Sequence, residues 1–538
     1  MSTEATTRIG GHLVAESLHA LGAEAAFGVP GVHALAMWEA LREGPLAVYG
    51  TRTELCAGFA ADGYARSSGR PAPLLLSTGP GALNSLTAVM EAASSHVPVI
   101  VISSQIPADL VGRGRGYLHE LTDQLASFRP LVKHAVRAES TDAIPGILAA
   151  AWRIATAPPS GPVYVEIPVD LLTRPVGDLP VPEPDRAPSW SPAPRAAIDR
   201  AAGLLNDSAR PVLWAGGGVI RSGAQSELRR LAERLDAPVA TTYMGKGALA
   251  DDHPLAAGSG CDEAALQELL ADADVVVCAG TELGAETTGQ YTLRFSGRLI
   301  HIDAAPERAG ATYPALPLVG DARLTLAALA DAVTPRATSA SAERVGAVRR
   351  RIVAGLRDQG RDAELELLAT LERVLPADAI AAFDMTILGY WAAPHLRLTA
   401  GQQFLYPLGS GTLGYAWPAA LGASIAHPGR PVLAVVGDGG LQYALAELGT
   451  AAQHRINAAL LVIDDGGYGI LREYQRDSFG HTTGVDLPGL DLLAVAGAFG
   501  VPARAATPES LGEDLGWALA EPGPAVVVLR ATLVAAQP

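Results

Sequence analysis

Short runs of β-branched and other apolar residues recur along the chain, each followed by a longer Ala/Leu-rich amphipathic stretch. Apolar runs without polar alternation suit strands buried on both faces, and the stretches between them suit covering helices, the pattern of parallel α/β sheets. The runs predict strands at 74–77, 97–103, 163–167, 212–215, 275–279, 299–302, 432–436 and 459–463. Helices are predicted at 54–65, 344–360 and 441–454 among others. Two breaks interrupt the alternation. Residues 168–194 (PVDLLTRPVGDLPVPEPDRAPSWSPAP) are rich in proline, whose missing amide donor and fixed φ disfavour helix and central strand alike. Residues 334–345, beginning TPRATSASAE, are short and polar with no apolar period. The chain therefore divides into domains at 1–175, 195–335 and 361–538, with a linker at 176–194 and a linker plus helix at 336–360. The outer two domains share a sub-pattern at an offset of about 360 positions: Gly-Arg-Pro at 69–71 precedes PLLLS, TGPGALN, a helix and VPVIVIS, while Gly-Arg-Pro at 429–431 precedes VLAVVG, DGG, a helix and AALLVI. A weak internal duplication follows, two domains of one fold flanking a third.

The 538 residues leave room for three or four domains, and 49% hydrophobic against 18% charged residues is the balance of a soluble globular protein. Forty Lys and Arg against 56 Asp and Glu give a formal charge of −16, a field that repels nucleic acid and anionic lipid. No run approaches the ~18 apolar residues of a membrane span, and the first twenty residues lack an apolar signal core. The expected location is the cytoplasm, with neither nucleic acid nor membrane as a partner. Cys56, Cys261 and Cys278 are odd in number and have no metal-ligand spacing, as expected of reduced core thiols.

The segment richest in chemistry is 437–475, GDGGLQYALAELGTAAQHRINAALLVIDDGGYGILREYQ. One predicted strand runs into Gly437-Asp438-Gly439-Gly440 and its neighbour into Asp464-Asp465-Gly466-Gly467. Both loops thus stand at the carboxyl ends of adjacent strands, where open α/β sheets bind ligands and glycines let amides at a helix N-terminus approach a phosphate. Magnesium takes oxygen ligands and bridges phosphates to one or two carboxylates, which Asp438 and Asp465 can supply. Turn-capping would explain either aspartate alone but not the pair.

This pair of loops closely resembles the signature of thiamine-diphosphate enzymes, Gly-Asp-Gly followed by an Asn-Asn pair, and the resemblance extends over nearly the whole chain. It implies an α/β fold of three doubly wound parallel-sheet domains, with pyrimidine- and diphosphate-binding domains of similar fold flanking a Rossmann-like middle domain. It also implies thiamine diphosphate and Mg²⁺ as cofactors. Asp438 and Asp465 become side-chain metal ligands and Gly467 a carbonyl ligand, with Gly437, Gly439, Gly440 and Tyr468 beside the cofactor. Asp464 and Asp465 replace the usual asparagines, an added negative charge that favours metal over diphosphate. Residues 52–86 look like the pyrimidine-binding domain of acetolactate synthases and benzoylformate decarboxylases, with Glu54 at their catalytic glutamate and Asn84 near the cofactor. There Glu54 would stabilise the imino tautomer of the aminopyrimidine; taken alone, it reads as a surface glutamate next to Arg52.

Residues 410–431 (SGTLGYAWPAALGASIAHPGRP) are similar to a synthase segment in which Gly411 offers its carbonyl to the cofactor amino group and Leu413 wedges the cofactor into a bent form. Leu413 as plain core is the alternative. In FDMTILGYW (383–391), Thr386, Ile387 and Leu388 stand where synthases carry Gly-Gln-His, which leaves the Thr386 hydroxyl for the diphosphate. FGVPGVHALAMWEAL (27–41) resembles an active-site loop that sets Pro30 against the pyrimidine and His33 near the reacting centre, and His119 stands where synthases carry a glutamine. Both imidazoles could relay protons near neutral pH, and each alone also reads as an ordinary histidine.

In WAGGGVIRSGA (214–224), Arg221 replaces the third glycine of a dinucleotide fingerprint, and AGTELGAETTGQYTLRF (279–295) lacks the run that accompanies FAD in acetolactate synthases. The middle domain is therefore expected to hold no flavin. The expected function is thiamine-diphosphate- and Mg²⁺-dependent decarboxylation of a small 2-oxo acid, releasing an aldehyde or joining the enamine to a second carbonyl. The LHELTDQ and GTEL runs are similar to 5-guanidino-2-oxopentanoate decarboxylases, which would make Glu120, Glu282 or Glu286 receivers of a cationic tail; surface solvation explains these carboxylates equally well. Alternatives are an acetolactate synthase proper and, in another class, a non-catalytic diphosphate-binding scaffold or regulator. Family members build the site between the first domain of one subunit and the third of another, which implies a homodimer or homotetramer.

Overall fold

The uninterrupted apolar runs lie in three six-stranded sheets in the computed structural model, which describes residues 7–42, 44–183, 190–337 and 340–535. The first sheet holds β1 (Ala25–Gly28), β2 (Ala47–Gly50), β3 (Ala72–Leu76), β4 (Val99–Gln105), β5 (Ala135–Arg137) and β6 (Val163–Pro168). Its spatial order is β2-β1-β3-β4-β6-β5, and every pair is parallel. Successive residues of a strand face opposite sides, so Ile100 and Ile102 of β4 enter one core and Val99 and Val101 the other. Helices cover both faces for that reason.

The middle sheet holds β7 (Pro211–Ala215), β8 (Val239–Thr241), β9 (Ala256–Gly258), β10 (Val275–Ala279), β11 (Arg298–Asp303) and β12 (Leu316–Val319). Its order, β12-β11-β10-β7-β8-β9, is that of a dinucleotide fold and reverses between β7 and β10. The third sheet holds β13 (Ile380–Phe383), β14 (Gln403–Leu405), β15 (Val432–Gly437), β16 (Ala459–Asp464), β17 (Ala503–Ala506) and β18 (Ala525–Arg530). Counted from its own first strand, its order β14-β13-β15-β16-β18-β17 repeats that of the first sheet, so the duplication read in the sequence is one of topology.

All eight predicted strands are present, with ends shifted by up to two residues. The helix expected at 441–454 is broken: Asp438–Leu441 and Glu447–His454 are helical, and a turn joins them. Amide bonds over three residues, such as Tyr443 N–H to Gly440 O and Glu447 N–H to Ala444 O, tighten the chain there. Tyr443 is thereby brought against Gly414, where a Cβ would come within 2.6 Å of the tyrosine Cβ. The helix expected at 344–360 runs Ser341–Asp358 and is more than a linker: Val345 and Val348 enter the middle core, and Leu356 enters the third. Of the proline-rich stretch, 184–189 lie outside the described residues. Among the described residues, no helix is long and apolar enough to cross a membrane.

The first and third sheets are joined by the helices Glu54–Ser68 and Ala416–Ala426, both buried along nearly their whole length. A Cβ on Gly63 would lie 2.0 Å from the Ala419 carbonyl oxygen, and one on Gly422 would lie 1.9 Å from that of Ala60. Beside this contact, Arg66 bridges Asp62 (2.8 Å) and Glu91 (3.1 Å) and donates to the Tyr406 carbonyl, while the Tyr415 hydroxyl donates to Asp62. We expect Gly63→Val to cost about 1–3 kcal/mol or more by overpacking. Gly203→Ala, in open space within a helix, should gain about 0.5–1 kcal/mol. Chemical denaturation of the two variants checks this, and equal stabilities would contradict the packing described.

Candidate active site

β15 and β16 are adjacent and parallel, so the loops that follow them face one another. Between these loops and the one after β13 lies a cavity of about 230 Å³, lined by Thr386, Gly411, Leu413, Gly437, Gly440, Asp465, Gly467 and Tyr468 from the predicted set. Asp438 and Gly439 lie just behind its wall. Asp438 is buried, and its Oδ1 accepts the Asp465 N–H at 3.3 Å. A Cβ on Gly439 would meet the Gly467 carbonyl oxygen and the Tyr468 ring at 2.8 Å, so only glycine lets that carbonyl approach. Gly466 and Gly467 themselves have φ of 78° and 154°.

Burial, and then the charge of Asp438, pushes the Asp465 carboxyl up to about 6; Arg472 at 4.0 Å pulls the other way. Asp438 is also pushed up, by burial first. Asp465 Oδ1 is buried without a hydrogen-bond partner. Two carboxylates in contact, both desolvated and one with an orphaned oxygen, fit a hard divalent cation that also takes phosphate oxygens. Among the described residues no group of three or more His, Cys, Asp or Glu forms a metal cage, so a metal held here would need backbone carbonyls and phosphate oxygens to complete its shell. Asp464 is placed differently from the sequence expectation. Its Oδ2 pairs with Arg530 at 3.3 Å, so it is a salt-bridge partner that reaches the site only through its field on Asp438.

Thr386 precedes the helix Ile387–His395 and makes no capping bond. Its Oγ1 stands 3.0 Å from where a Cβ of Gly437 would be, free for an anion at the helix N-terminus. Ile387 lines the cavity and Leu388 is core. Leu413 is half-buried on the cavity wall rather than part of the core, and Gly411 has φ of 68°. Sequence reasoning gave no role to Asp384, which is wholly enclosed, accepts the Met385 and Gly414 N–H groups at 2.9 Å and is pushed up to about 6 by burial. It ties the loop after β13 to the Leu413 loop, and its place at a strand's carboxyl end was the signal available. Glu91 was missed too. It accepts the Ser410 N–H (2.7 Å) and hydroxyl (2.8 Å), holding the same loop from the first domain.

The other half of the predicted set lies in the segments that follow the carboxyl ends of β1, β2, β3 and β4. Glu54 opens its helix, capped by Thr53, whose side chain accepts the Cys56 N–H. Glu54 Oε2 accepts from Asn84 Nδ2 at 3.2 Å, and Oε1 lies 3.3 Å from where a Cβ of Gly81 would be. Arg52 does not pair with it; that guanidinium donates to Gln453 at 2.7 Å. Pro30 is exposed, followed by Gly31, which abuts Ser77. His33 is buried with its ring 5.2 Å from that of His119, and both Nδ1 atoms are buried and unpartnered. Burial, then His119, lowers the His33 pKa. His119 holds φ of 66° against Gly79. None of these residues lines the third-sheet cavity of the same chain.

Gly216 and Gly218 pack onto Gly280, where added Cβ atoms would come within 2.3 and 2.6 Å, so close loop packing explains the GGG run. A second cavity, of about 300 Å³, lies there between the first and middle domains. Glu282 is held by His96 (2.7 Å) and Arg308, and Glu120 by the N–H groups of Tyr117 (3.0 Å) and Arg115 (3.3 Å), so neither carboxylate is free for a cationic tail. Glu286 is exposed. The three cysteines are buried and unpaired.

With this geometry in place, the comparisons are direct. The thiamine pyrophosphate enzyme N-terminal TPP-binding domain matches residues 8–127, the central domain 198–329 and the C-terminal TPP-binding domain 384–529. A probable 2-ketoarginine decarboxylase of Pseudomonas aeruginosa is 38% identical over 469 residues, 85% of this chain and 82% of that protein. Probable acetolactate synthase large subunits of Methanococcus aeolicus (30% identical) and Methanocaldococcus jannaschii (31%) each align over 94% of this chain and 89% of their own length. By these three domain matches and the identities over most of its length, this chain belongs to the thiamine pyrophosphate enzymes, among relatives named as a 2-ketoarginine decarboxylase and as acetolactate synthases.

Proposed function

We propose that the chain is a Mg²⁺-dependent 2-oxo acid decarboxylase that acts in the cytoplasm as a homo-oligomer on an acid with a cationic tail. The observation that carries this reading is the contact of Asp438 with Asp465 at the ends of β15 and β16, opposite the free Thr386 hydroxyl. Thiamine diphosphate supplies an electron sink for the pair left when CO₂ departs. Asp438, Asp465 and the Gly467 carbonyl would hold the metal, Thr386 and the amides after it would orient the diphosphate, and Leu413 and the Gly411 carbonyl would position the ring. Glu54, steadied by Asn84, would hold a proton at the pyrimidine nitrogen. His33, neutral near pH 7 because burial lowers its pKa, passes protons with His119. Glu54 does not line its own chain's cavity, so the reading requires a second copy to complete each site. The identity to the 2-ketoarginine decarboxylase supports a guanidino substrate, while the long alignments to acetolactate synthases favour carboligation as the second reading.

Turnover of 2-oxoarginine, pyruvate and benzoylformate, with separate detection of aldehyde and ligated products, discriminates the two. We expect 2-oxoarginine to yield an aldehyde, with no flavin absorption from the purified protein; acetolactate from pyruvate alone would contradict this. Glu54→Gln should reduce turnover by about 10²–10⁴-fold while sparing cofactor binding measured by fluorescence, and unchanged turnover rejects the role.

The pH dependence follows from Asp465. Without metal, its raised carboxyl stabilises the fold fully below the unfolded value of about 4, and that contribution is lost as pH rises through about 6. Magnesium binds the ionised form, so its apparent affinity should be full above pH 6 and fall about tenfold per unit below it. Calorimetric titration across this range checks the slope. Asp465→Asn should retain Mg²⁺ and flatten it; loss of metal in that variant contradicts the coordination.

A further inference from the structure

A cavity of about 310 Å³ lies where the middle domain, the helix Ser341–Asp358 and the third domain meet, and it shares no lining residue with the third-sheet cavity. Part of its wall is apolar, made by Ile352, Val353 and Leu356 of that helix with Leu365 and Leu368 of the helix Asp362–Val374. The rest is charged: Lys246, Arg349 and Arg397 line it together with Asp251 and Glu372. Lys246 is 6% exposed, and its ammonium, which carries three donors, makes one hydrogen bond, to the neutral Ser259 hydroxyl at 2.7 Å. That hydroxyl in turn donates to the Ala393 carbonyl at 2.8 Å. Among the described residues none of the three cations forms an ion pair. Arg349 and Arg397 both donate to the backbone carbonyl of Asp251, at 2.6 and 3.3 Å. The two carboxylates take backbone amides instead, Asp251 that of Leu398 and Glu372 that of Arg397, each at 2.8 Å. Burial pulls the Lys246 pKa down, while Asp251 and then Glu372 pull it back up. His395 is also on the wall, with its Nε2 buried and without a hydrogen bond, 3.3 Å from Glu263 Oε1.

We propose that this cavity is a second binding site, for a small aliphatic monocarboxylate whose head is taken by Lys246, Arg349 and Arg397 and whose tail lies against the apolar wall. It stands apart from the decarboxylase reading, which uses none of these residues. A buried ammonium with one neutral partner is costly, and a carboxylate supplies both the missing charge and the missing acceptors. With the five charged groups ionised, the cluster has one positive charge in excess, which suits a monoanion better than a phosphate dianion. The volume is at the small end of ligand sites, the size for a short acid. A ligand seated there touches the middle domain at Lys246, the joining helix at Arg349 and the third domain at Arg397, so it holds this junction together and stabilises the native chain.

The test is calorimetric titration and thermal unfolding of the full-length protein with butanoate, hexanoate, hexan-1-ol, hexylamine and inorganic phosphate. Hexanoate should bind at millimolar concentration or below and raise Tm, with affinity increasing about fourfold per methylene from butanoate. The alcohol, the amine and phosphate should do neither. Lys246→Met removes the charge at similar bulk and should weaken hexanoate binding about 10–100-fold. Ala369→Leu adds bulk to the cavity wall with every cation retained and should weaken it as well, which keeps the test open if the first variant does not fold. A wild type that ignores hexanoate, or that takes phosphate or hexan-1-ol equally well, overturns the proposal. Unchanged hexanoate affinity in a folded variant also overturns it, because the acid then binds elsewhere, the third-sheet cavity included.

Discussion

Backbone carbonyls of the helices Glu54–Ser68 and Ala416–Ala426 occupy the space where Cβ atoms of Gly63 and Gly422 would stand, so the first and third sheets are fixed at contact distance. The helices cannot slide without forcing an oxygen into a Cα. The buried network beside them, Asp62, Arg66, Glu91 and Tyr415, locks the same contact by charge, and removing one partner of such a network costs about 3–5 kcal/mol. Glu91 then carries the constraint to Ser410, next to Gly411 and three residues from Leu413. The chain thus uses its own first domain to hold the loop that shapes the third-domain cavity. Glu54, at the start of that first-domain helix, sits outside this cavity, and for that reason the proposed function draws on a second copy.

Much of this was legible in the sequence because the physics was local. Central parallel strands are mostly apolar, and the eight predicted strands carry that mark apart from polar residues such as the buried Glu166 in β6 and His301 in β11; β18, with AVVVLR, carries it equally and was readable on the same grounds. The other nine strands have three or four residues, many alanine-rich or at a sheet edge, too short for any periodicity to register. The two Asp/Gly loops announced themselves through the strands they follow. What the sequence could not reveal was direction: that Asp464 turns to Arg530 while Asp465 turns inward, that Glu282 is taken by His96 and Arg308, and that Glu91 reaches across to a loop more than 300 positions away. The break at 442–446 also escaped, because it arises from Tyr443 meeting Gly414, a contact between distant segments.

The middle sheet gives a different lesson about glycine. Its GGG run has the look of a nucleotide loop, yet Gly216 and Gly218 are explained by the approach of Gly280 across the point where strand order reverses.

The central claim is that the aspartate loops of one chain and Glu54 of another meet on a single cofactor. The most direct measurement is the structure of the protein with thiamine diphosphate and Mg²⁺ bound. The account predicts the metal between Asp438 and Asp465 of one chain, and Glu54 of a second copy within about 2.6–3.2 Å of the aminopyrimidine ring. A bound cofactor whose ring meets no Glu54, or a diphosphate seated away from the two aspartates, would contradict it.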